Sequence, residues 1–428
     1  MLLRRVLLLA SVALVAGAAS TESEDTFPQC AVTCQSQVIA DNSTSCATTD
    51  TSCLCADDTF QTDMTDCVST SCTPKQALLT KRLNNRQCGI PPHKGRPKLD
   101  SGTLIPLIIS TLLFGNRIAA KFMGLGGGWG ADDYTIIVAY GLGVAIFGIN
   151  ITMIDYGFGQ NLWDITPLDN ITIVLKYFYA FTLLYKAQIS LAKISVCLFL
   201  LRIFQSKMFR IGAFTIIALN AAIGITWLFT DSLRCIPVRL AWDQWATGEV
   251  GRCVNFIAVT FVNAYVNIAV DTVMVLMPVY EVFKLNLSAR KKAGVSVMFA
   301  MGLVLTGVAI ARVIVFWFNR WNTNPTVQLQ PIVHWSVIEV QIAVMCACLP
   351  TFRAMLVHVF PKVLGNSSDK SYYAHRNTPS KPPTFGSTQP LSKSHINKTV
   401  SYSIDYTTNK RNQRHSFVPL VEMDPHET

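Results

Sequence analysis

Charge is scarce in this chain. Asp, Glu, Lys and Arg make up only 14% of its 428 residues, against about 25% in an ordinary soluble protein. Half the residues are hydrophobic and the mean hydropathy is positive. That shortage excludes an ordinary cytosolic enzyme and a disordered chain, and it points to several membrane spans. No internal repeat is visible, which argues against a transporter built from inverted repeats. The net charge of +10 could suit nucleic acid. In a membrane protein it reads instead as Lys- and Arg-rich cytoplasmic loops, so no nucleic-acid partner is expected. Residues 20–90 are short of large apolar side chains, with Phe60, Met64, Leu78, Leu79 and Leu83 as the candidates for a core. A segment of that size and composition cannot close a sufficient core unaided.

The chain begins with Arg4 and Arg5, an apolar run Val6–Val15 and the small residues Ala16–Ala19. This is the layout of a secretory signal peptide cleaved near Ala18 or Ala19; an uncleaved anchor is the alternative. Residues 91–100 carry Pro, Gly and the basic Lys94, Arg96 and Lys98, and read as a linker. Long apolar runs follow, and the periodicity and length predict seven spans at roughly 101–121, 134–155, 173–202, 209–232, 254–282, 294–318 and 331–356. Pro106, Asn116 and Arg117 interrupt the first. The tail, 359–428, is polar and is expected to be disordered and cytoplasmic.

Lys and Arg cluster after the third span (Arg202, Lys207, Arg210), after the fifth (Lys284, Arg290, Lys291, Lys292) and throughout the tail. The positive-inside rule therefore puts the N-terminus outside and the C-terminus in the cytoplasm of a multi-pass plasma-membrane protein. The basic linker argues the other way, and is outvoted by the signal peptide and the odd number of spans.

Eight of the 13 cysteines lie between Cys30 and Cys88. Exported, such a cluster forms a disulfide framework, though spacing alone leaves on the order of a hundred pairings open. A zinc site is the rival reading and suits an oxidising compartment poorly. The pattern runs Pro28-x-Cys30-Ala31-x2-Cys34, then Cys46, then Asp50 before Cys53-x-Cys55, then Cys67, Cys72 and Cys88. It resembles the CFEM domain of fungal surface proteins. The resemblance implies a helical extracellular domain over 20–90 with bridges Cys30–Cys72, Cys34–Cys67, Cys46–Cys53 and Cys55–Cys88. It also implies a role for Asp50, because some CFEM proteins use that carboxylate as the axial ligand to haem iron. A hard oxygen donor suits ferric iron, and its strength falls on protonation. The alternative is a loop aspartate bonded to nearby backbone. Asn42-Ser43-Thr44 is a glycosylation sequon on the exported side.

Asp132-Asp133-Tyr134 entering the second span, Lys193-Ile-Ser195 and Arg202-Ile-Phe204 in the third, Cys235-x-Pro237 with Trp242 and Cys253, and Leu349-Pro350 in the seventh resemble the fungal rhodopsin-like integral membrane domain. With the CFEM pattern, the layout resembles the CFEM-containing receptor-like proteins of filamentous fungi. The expected fold is an all-α membrane protein: a signal peptide (1–19), a CFEM domain (20–90), a linker (91–100), a seven-helix bundle (101–358) and the tail. Cys235 and Cys253 share one extracellular loop and would bridge there, two thiols being the alternative. Cys197, Cys346 and Cys348 lie within spans and read as packing residues.

Charges inside spans are costly and each needs a reason. Lys186 and Lys193 share a face of the third span. Asp271 lies in the fifth, Arg312 in the outer sixth, and His334 and Glu339 in the outer seventh. Depth counted from helix ends pairs Arg312 with Glu339 and Lys193 with Asp271. Such bridges either staple the bundle or line a polar cavity that a ligand enters from outside.

Microbial opsins hold retinal on a lysine of the last span, and 331–356 contains none, so retinal is not expected. The third span ends in Leu201-Arg202-Ile203-Phe204, without the acidic-Arg-aromatic signature of the best-known G-protein-coupled receptors. A G-protein partner therefore rests on helix count alone. The glycine run 124–128 reads as a tight turn between spans rather than a phosphate cradle. No enzyme constellation stands out. The expected role is a non-catalytic sensor of extracellular or host cues. The alternatives are haem or iron handling through Asp50, and a transporter or accessory protein of a biosynthetic pathway.

Overall fold

The structure, a computed structural model, describes residues 26–359 except 42–45, 48–49, 126–127, 248, 285–288 and 320–323. The expected signal peptide, Asn42, part of the glycine run (Gly126 and Gly127) and the tail beyond Val359 lie outside the described residues.

Four short helices build the N-terminal head: α1 (Gln29–Ala40), α2 (Thr51–Ala56), α3 (Asp58–Ser71) and α4 (Pro74–Gln87). Their starts are written in side chains. Asp57 caps α3 by accepting from the backbone N–H groups of Thr59 and Phe60. Thr73 and Gln76 form a reciprocal capping box on α4, with Pro74 in its first turn. Gly89 ends α4 at φ +68°, the left-handed conformation that releases the chain from the helix, and the Ile90 N–H returns to the Asn85 carbonyl.

The head is pinned by Cys30–Cys72, Cys34–Cys67, Cys46–Cys53 and Cys55–Cys88, the same four pairs that the family resemblance implies. Its own core is two small groups, Ala31 with Cys34 and Val68, and Val38 with Leu54 and Phe60. The apolar face of α4 does not join them. Leu79 and Leu83 pack on Ile165, Leu168 and Ile171 of the bundle. The head is thus held by cross-links within and by burial against its neighbour.

Seven helices among the described residues are long and apolar enough to cross a bilayer. They are α5 (Ser101–Phe122), α6 (Ala131–Asp155), α7 (Asn170–Ile203), α8 (Lys207–Ser232), α10 (Phe256–Lys284), α11 (Ala289–Asn319) and α12 (Pro325–Val359). Between α8 and α10 lie the two-residue strands β1 (Cys235–Ile236) and β2 (Arg252–Cys253) and the helix α9 (Leu240–Thr247). The strands pair antiparallel, with Cys235 opposite Cys253 and bridged to it.

The seventh span starts earlier than its hydropathy suggests, at Pro325 rather than residue 331. Proline is preset for the first helical turn, and Asn324 just before it accepts from Thr326 Oγ1 and Leu162 N–H. Pro331 therefore falls inside the helix. The first span is also unbroken across Pro106, Asn116 and Arg117.

α7 and α12 form the middle of the bundle. Phe178, Phe181 and Ile189 of α7 meet Val333, Val337 and Val344 of α12 and Ile136, Ile146 and Met153 of α6. Outward positions such as Leu112, Phe214, Phe229, Val262 and Ile314 are exposed and apolar, as a lipid-facing surface requires.

If the bridges stand as described, alkylation of the unfolded but unreduced chain labels three cysteines, Cys197, Cys346 and Cys348. Reduction then exposes both cysteines of each of the five bridges. Labelling of either head or loop cysteines before reduction contradicts the pairing.

Candidate functional site

The bundle's charges are sorted by depth. In the half nearer the head, Lys186 of α7 meets Asp231 of α8 at 2.5 Å, with its ammonium 5.1 Å from the Trp227 ring centroid. Across the bundle, Arg312 of α11 meets Glu339 of α12 at 3.2 Å. The Tyr185 hydroxyl donates to the same carboxylate at 2.8 Å, and the Arg312 guanidinium lies 4.9 Å over the Tyr185 ring. Further down, Lys193 meets Asp271 at 2.8 Å and donates to Asn267 Oδ1 at 2.9 Å. Asn267 in turn donates to Asn263 Oδ1 at 2.8 Å.

Each cation therefore has an anion and at least one neutral polar or aromatic neighbour, which is the condition for keeping charge in hydrocarbon. Lys193–Asp271 and Arg312–Glu339 join the residues that depth counting pairs. The Asp231 partner of Lys186 is not legible that way. α7 is 34 residues long and protrudes beyond α8, so distance from helix ends misjudges the level at which the two meet.

A second cluster closes the end of the bundle away from the head. Arg117 of α5 donates to Asp132 Oδ2 and to Asp133 Oδ1 of α6, both at 2.7 Å, and also to the Ala347 carbonyl of α12. Lys121 meets Asp133 at 2.8 Å, and Arg202 of α7 meets Asp132 at 3.0 Å. Ser195 Oγ donates to the Asp132 carbonyl at 2.7 Å. Arg117 is fully buried, so it ties spans together rather than interrupting one. A Cβ at Gly130 would sit 2.5 Å from Asp132 Oδ1 and 2.9 Å from Arg202 Nη1; glycine lets this turn approach the cluster. Asp132, Asp133, Ser195 and Arg202 of this cluster belong to the motifs that carry the family resemblance, whereas Arg117 and Lys121 are marked only by sharing a helix face just ahead of the two aspartates.

Two cavities described within the bundle are small. One of about 40 Å³ lies among Phe178, Lys186, Asp231, Arg312 and Phe316. Another of about 70 Å³ lies beside Lys193 and Asp271, near Pro278 and Cys346. These volumes suit a few waters and not a drug-sized ligand. His334 lies toward the linker, with Nδ1 3.4 Å from Asp100 Oδ2.

The head reaches the bundle through a buried arginine. Arg82 of α4 is 1% exposed, and its guanidinium donates to the carbonyls of Trp163 and Ile165 in the segment leading into α7. Lys75 meets Asp169 at 3.1 Å nearby on the surface. From the bridged loop, Trp242 packs edge-on against Tyr179, and the Trp245 indole N–H donates to Thr172 Oγ1 at 3.0 Å. Head and loop thus both bear on the first turns of the third span. Neither Arg82 nor Trp163 carries a sequence signature.

Asp50 stands at the start of α2. Its Oδ1 accepts from the Ser52 hydroxyl at 2.7 Å and the Cys53 N–H at 3.1 Å, and it is solvent-exposed. These bonds, Ser52 first, hold its pKa below the ordinary aspartate value. The donor chemistry would suit ferric iron. A porphyrin also needs an apolar cleft at the same place. The large apolar cavity of the head is walled by Phe60, Met64 and Leu78 among others, and Asp50 is not on its lining.

The geometry defines a class: a multi-pass, seven-helix membrane protein with a disulfide-bonded head docked on its third span. Comparison with known families agrees. Residues 116–358 match the fungal rhodopsin domain and residues 23–89 match the CFEM domain. The chain belongs to the fungal rhodopsin-domain family and carries a CFEM domain ahead of the bundle. It is similar to a SAT4 family membrane protein of Emericella nidulans, 27% identical over 237 residues that cover 55% of this chain and 59% of that protein. It is similar to the receptor GIN3 of Arthrobotrys oligospora, 24% identical over 60% of this chain and 62% of that one. It also resembles the polyenoic acids biosynthesis gene cluster protein Ba17b of Metarhizium anisopliae, 23% identical over 56% and 68% of the two chains. The chain thus spans about three fifths of the length of the first two relatives. No solved structure matches.

Two outcomes follow. Lys193→Met leaves Asp271 buried without its cation and is expected to cost about 3 kcal/mol, while Lys193→Met with Asp271→Leu recovers most of it. Reversible unfolding in mixed micelles measures both, and equal losses in the two variants would show that the pair does not act as a unit. For Asp50 the folded value is depressed, so its capping contribution is present above the ordinary carboxylate range and fades as pH falls through the lowered value. The Cys53 amide resonance should titrate with a midpoint below the ordinary aspartate range. That titration should vanish in Asp50→Asn, which caps without ionising.

Proposed function

We propose that the chain is a non-catalytic, receptor-like sensor of extracellular or host cues at the fungal plasma membrane, with its head outside and its tail in the cytoplasm. The observation that carries this reading is the docking of the head on the third span through Arg82. A free-standing module on a tether could bind a cue without altering the bundle. This one shares a core and a buried arginine with the segment entering α7. A ligand that favours one docked arrangement then biases the bundle by its differential affinity.

The charge clusters tie that bias to the rest of the bundle. Lys186, Lys193 and Arg202 all lie on α7 and bond to three different neighbouring helices. A shift of α7 therefore strains contacts to three helices at once. The Lys and Arg bias of the loops supports the orientation. A cytoplasmic G-protein partner rests on helix count alone. The relative named a receptor supports the sensing role, and the one named for a biosynthetic cluster supports an accessory role as the second reading. Haem handling through Asp50 has no comparable observation behind it.

The test replaces the native chain in its own host by Arg82→Met, and separately by a chain ending at residue 361. The transcriptional response to surface or host cues is expected to fall in both while surface display persists. Protease added to intact cells should trim the head and spare the tail. An unchanged response in both variants, or cleavage of the tail alone, overturns the proposal.

A further inference from the structure

A cavity far larger than those inside the bundle lies at the seam between head and bundle. Its volume is about 630 Å³, within the range of small-molecule sites, which favour seams between modules. Phe60, Met64 and Val68 of α3 and Leu78 of α4 form its head side, and Trp163 and Trp245 form its bundle side. The lining also carries polar side chains, and three of them are engaged within the head. Asn84 donates to Gln61 at 2.8 Å, Gln61 donates to the Leu54 carbonyl at 3.0 Å, and Thr80 donates to the Gln76 carbonyl at 2.8 Å. A sugar or peptide must exchange its many hydrogen bonds with water for equivalents in the site; the Trp163 indole N–H is a buried donor of this lining that has no hydrogen-bond partner. Lys81 is the one ionic side chain among the described lining residues.

We propose that this seam binds an amphiphile with an apolar body and a single anionic end, of the long-chain carboxylate class. The carboxylate is placed at Lys81, and the chain lies over Phe60, Met64 and Leu78 against the two indoles. The binding assignment stands apart from the receptor reading; its consequence for signalling rests on that reading. An occupant would touch α3 and α4 on one side and Trp245 on the other. Through the Trp245 N–H bond to Thr172 Oγ1, it would bear on the third span without entering the bundle.

The test uses the full chain in nanodiscs of zwitterionic lipid. Its probes are a diazirine-bearing palmitate and a quaternary-ammonium analogue of equal length, with crosslinks mapped by mass spectrometry. The expected result is saturable labelling by the carboxylate of peptides between Phe60 and Lys81, competed by unlabelled palmitate. Lys81→Met should raise its half-saturation about fivefold, the effect of losing roughly 1 kcal/mol from a partly exposed ion pair. Leu78→Trp fills the cavity and should abolish saturable labelling while the unreduced cysteine count stays at wild type, showing that the head is still folded. Labelling confined to span peptides, or equal half-saturation for the two probes, overturns the assignment. Absence of head labelling with an intact cue response removes this site and leaves the receptor reading standing. Saturable head labelling upholds the site whatever the response does.

Discussion

Charge in hydrocarbon is the constraint on which the rest of this structure depends. Lipid offers no water to an ammonium or a carboxylate, so each buried ion must meet its counter-ion inside the bundle. Lys186, Lys193, Arg312 and Arg117 all do so. Together their bonds join every span to at least one other. Apolar packing alone would leave the rotation and depth of each helix loosely set, because lipid chains are as apolar as leucine. The ion pairs give each helix a register.

The head obeys a different rule with a similar outcome. It lies outside the spans, where disulfides can form and an apolar core would serve. It has too few large side chains for one, and the bridges compensate only in part. Leu79, Leu83 and Arg82 complete themselves on the bundle. The head is therefore not an ornament on a tether. Its folding is coupled to the third span, and the cavity left at the imperfect seam is the roomiest space described in the protein.

Much of this could be read in advance. Hydropathy placed the seven spans, and the cysteine spacing with its family resemblance anticipated the four head bridges. Counting depth from helix ends paired Lys193 with Asp271 and Arg312 with Glu339. The same counting missed Lys186 with Asp231, because α7 protrudes past its neighbour. Hydropathy read Arg117 as an interruption of the first span, since an arginine in an apolar run does not show which distant residues will surround it. Asp50 was legible as a special position, but its exposure and its absence from the lining of the apolar cavity were not.

Composition and pattern along the chain determined that the described residues hold seven helices fit to span a membrane, preceded by a cross-linked head, because burial in lipid and oxidation act on segments whatever their neighbours. Only the tertiary structure decided that α4 docks on the third span, that five charges from three helices gather at the far end, and that a cavity remains between head and bundle. Those features depend on the relative placement of helices distant in sequence, and nothing local to any one of them encodes the distance to the next.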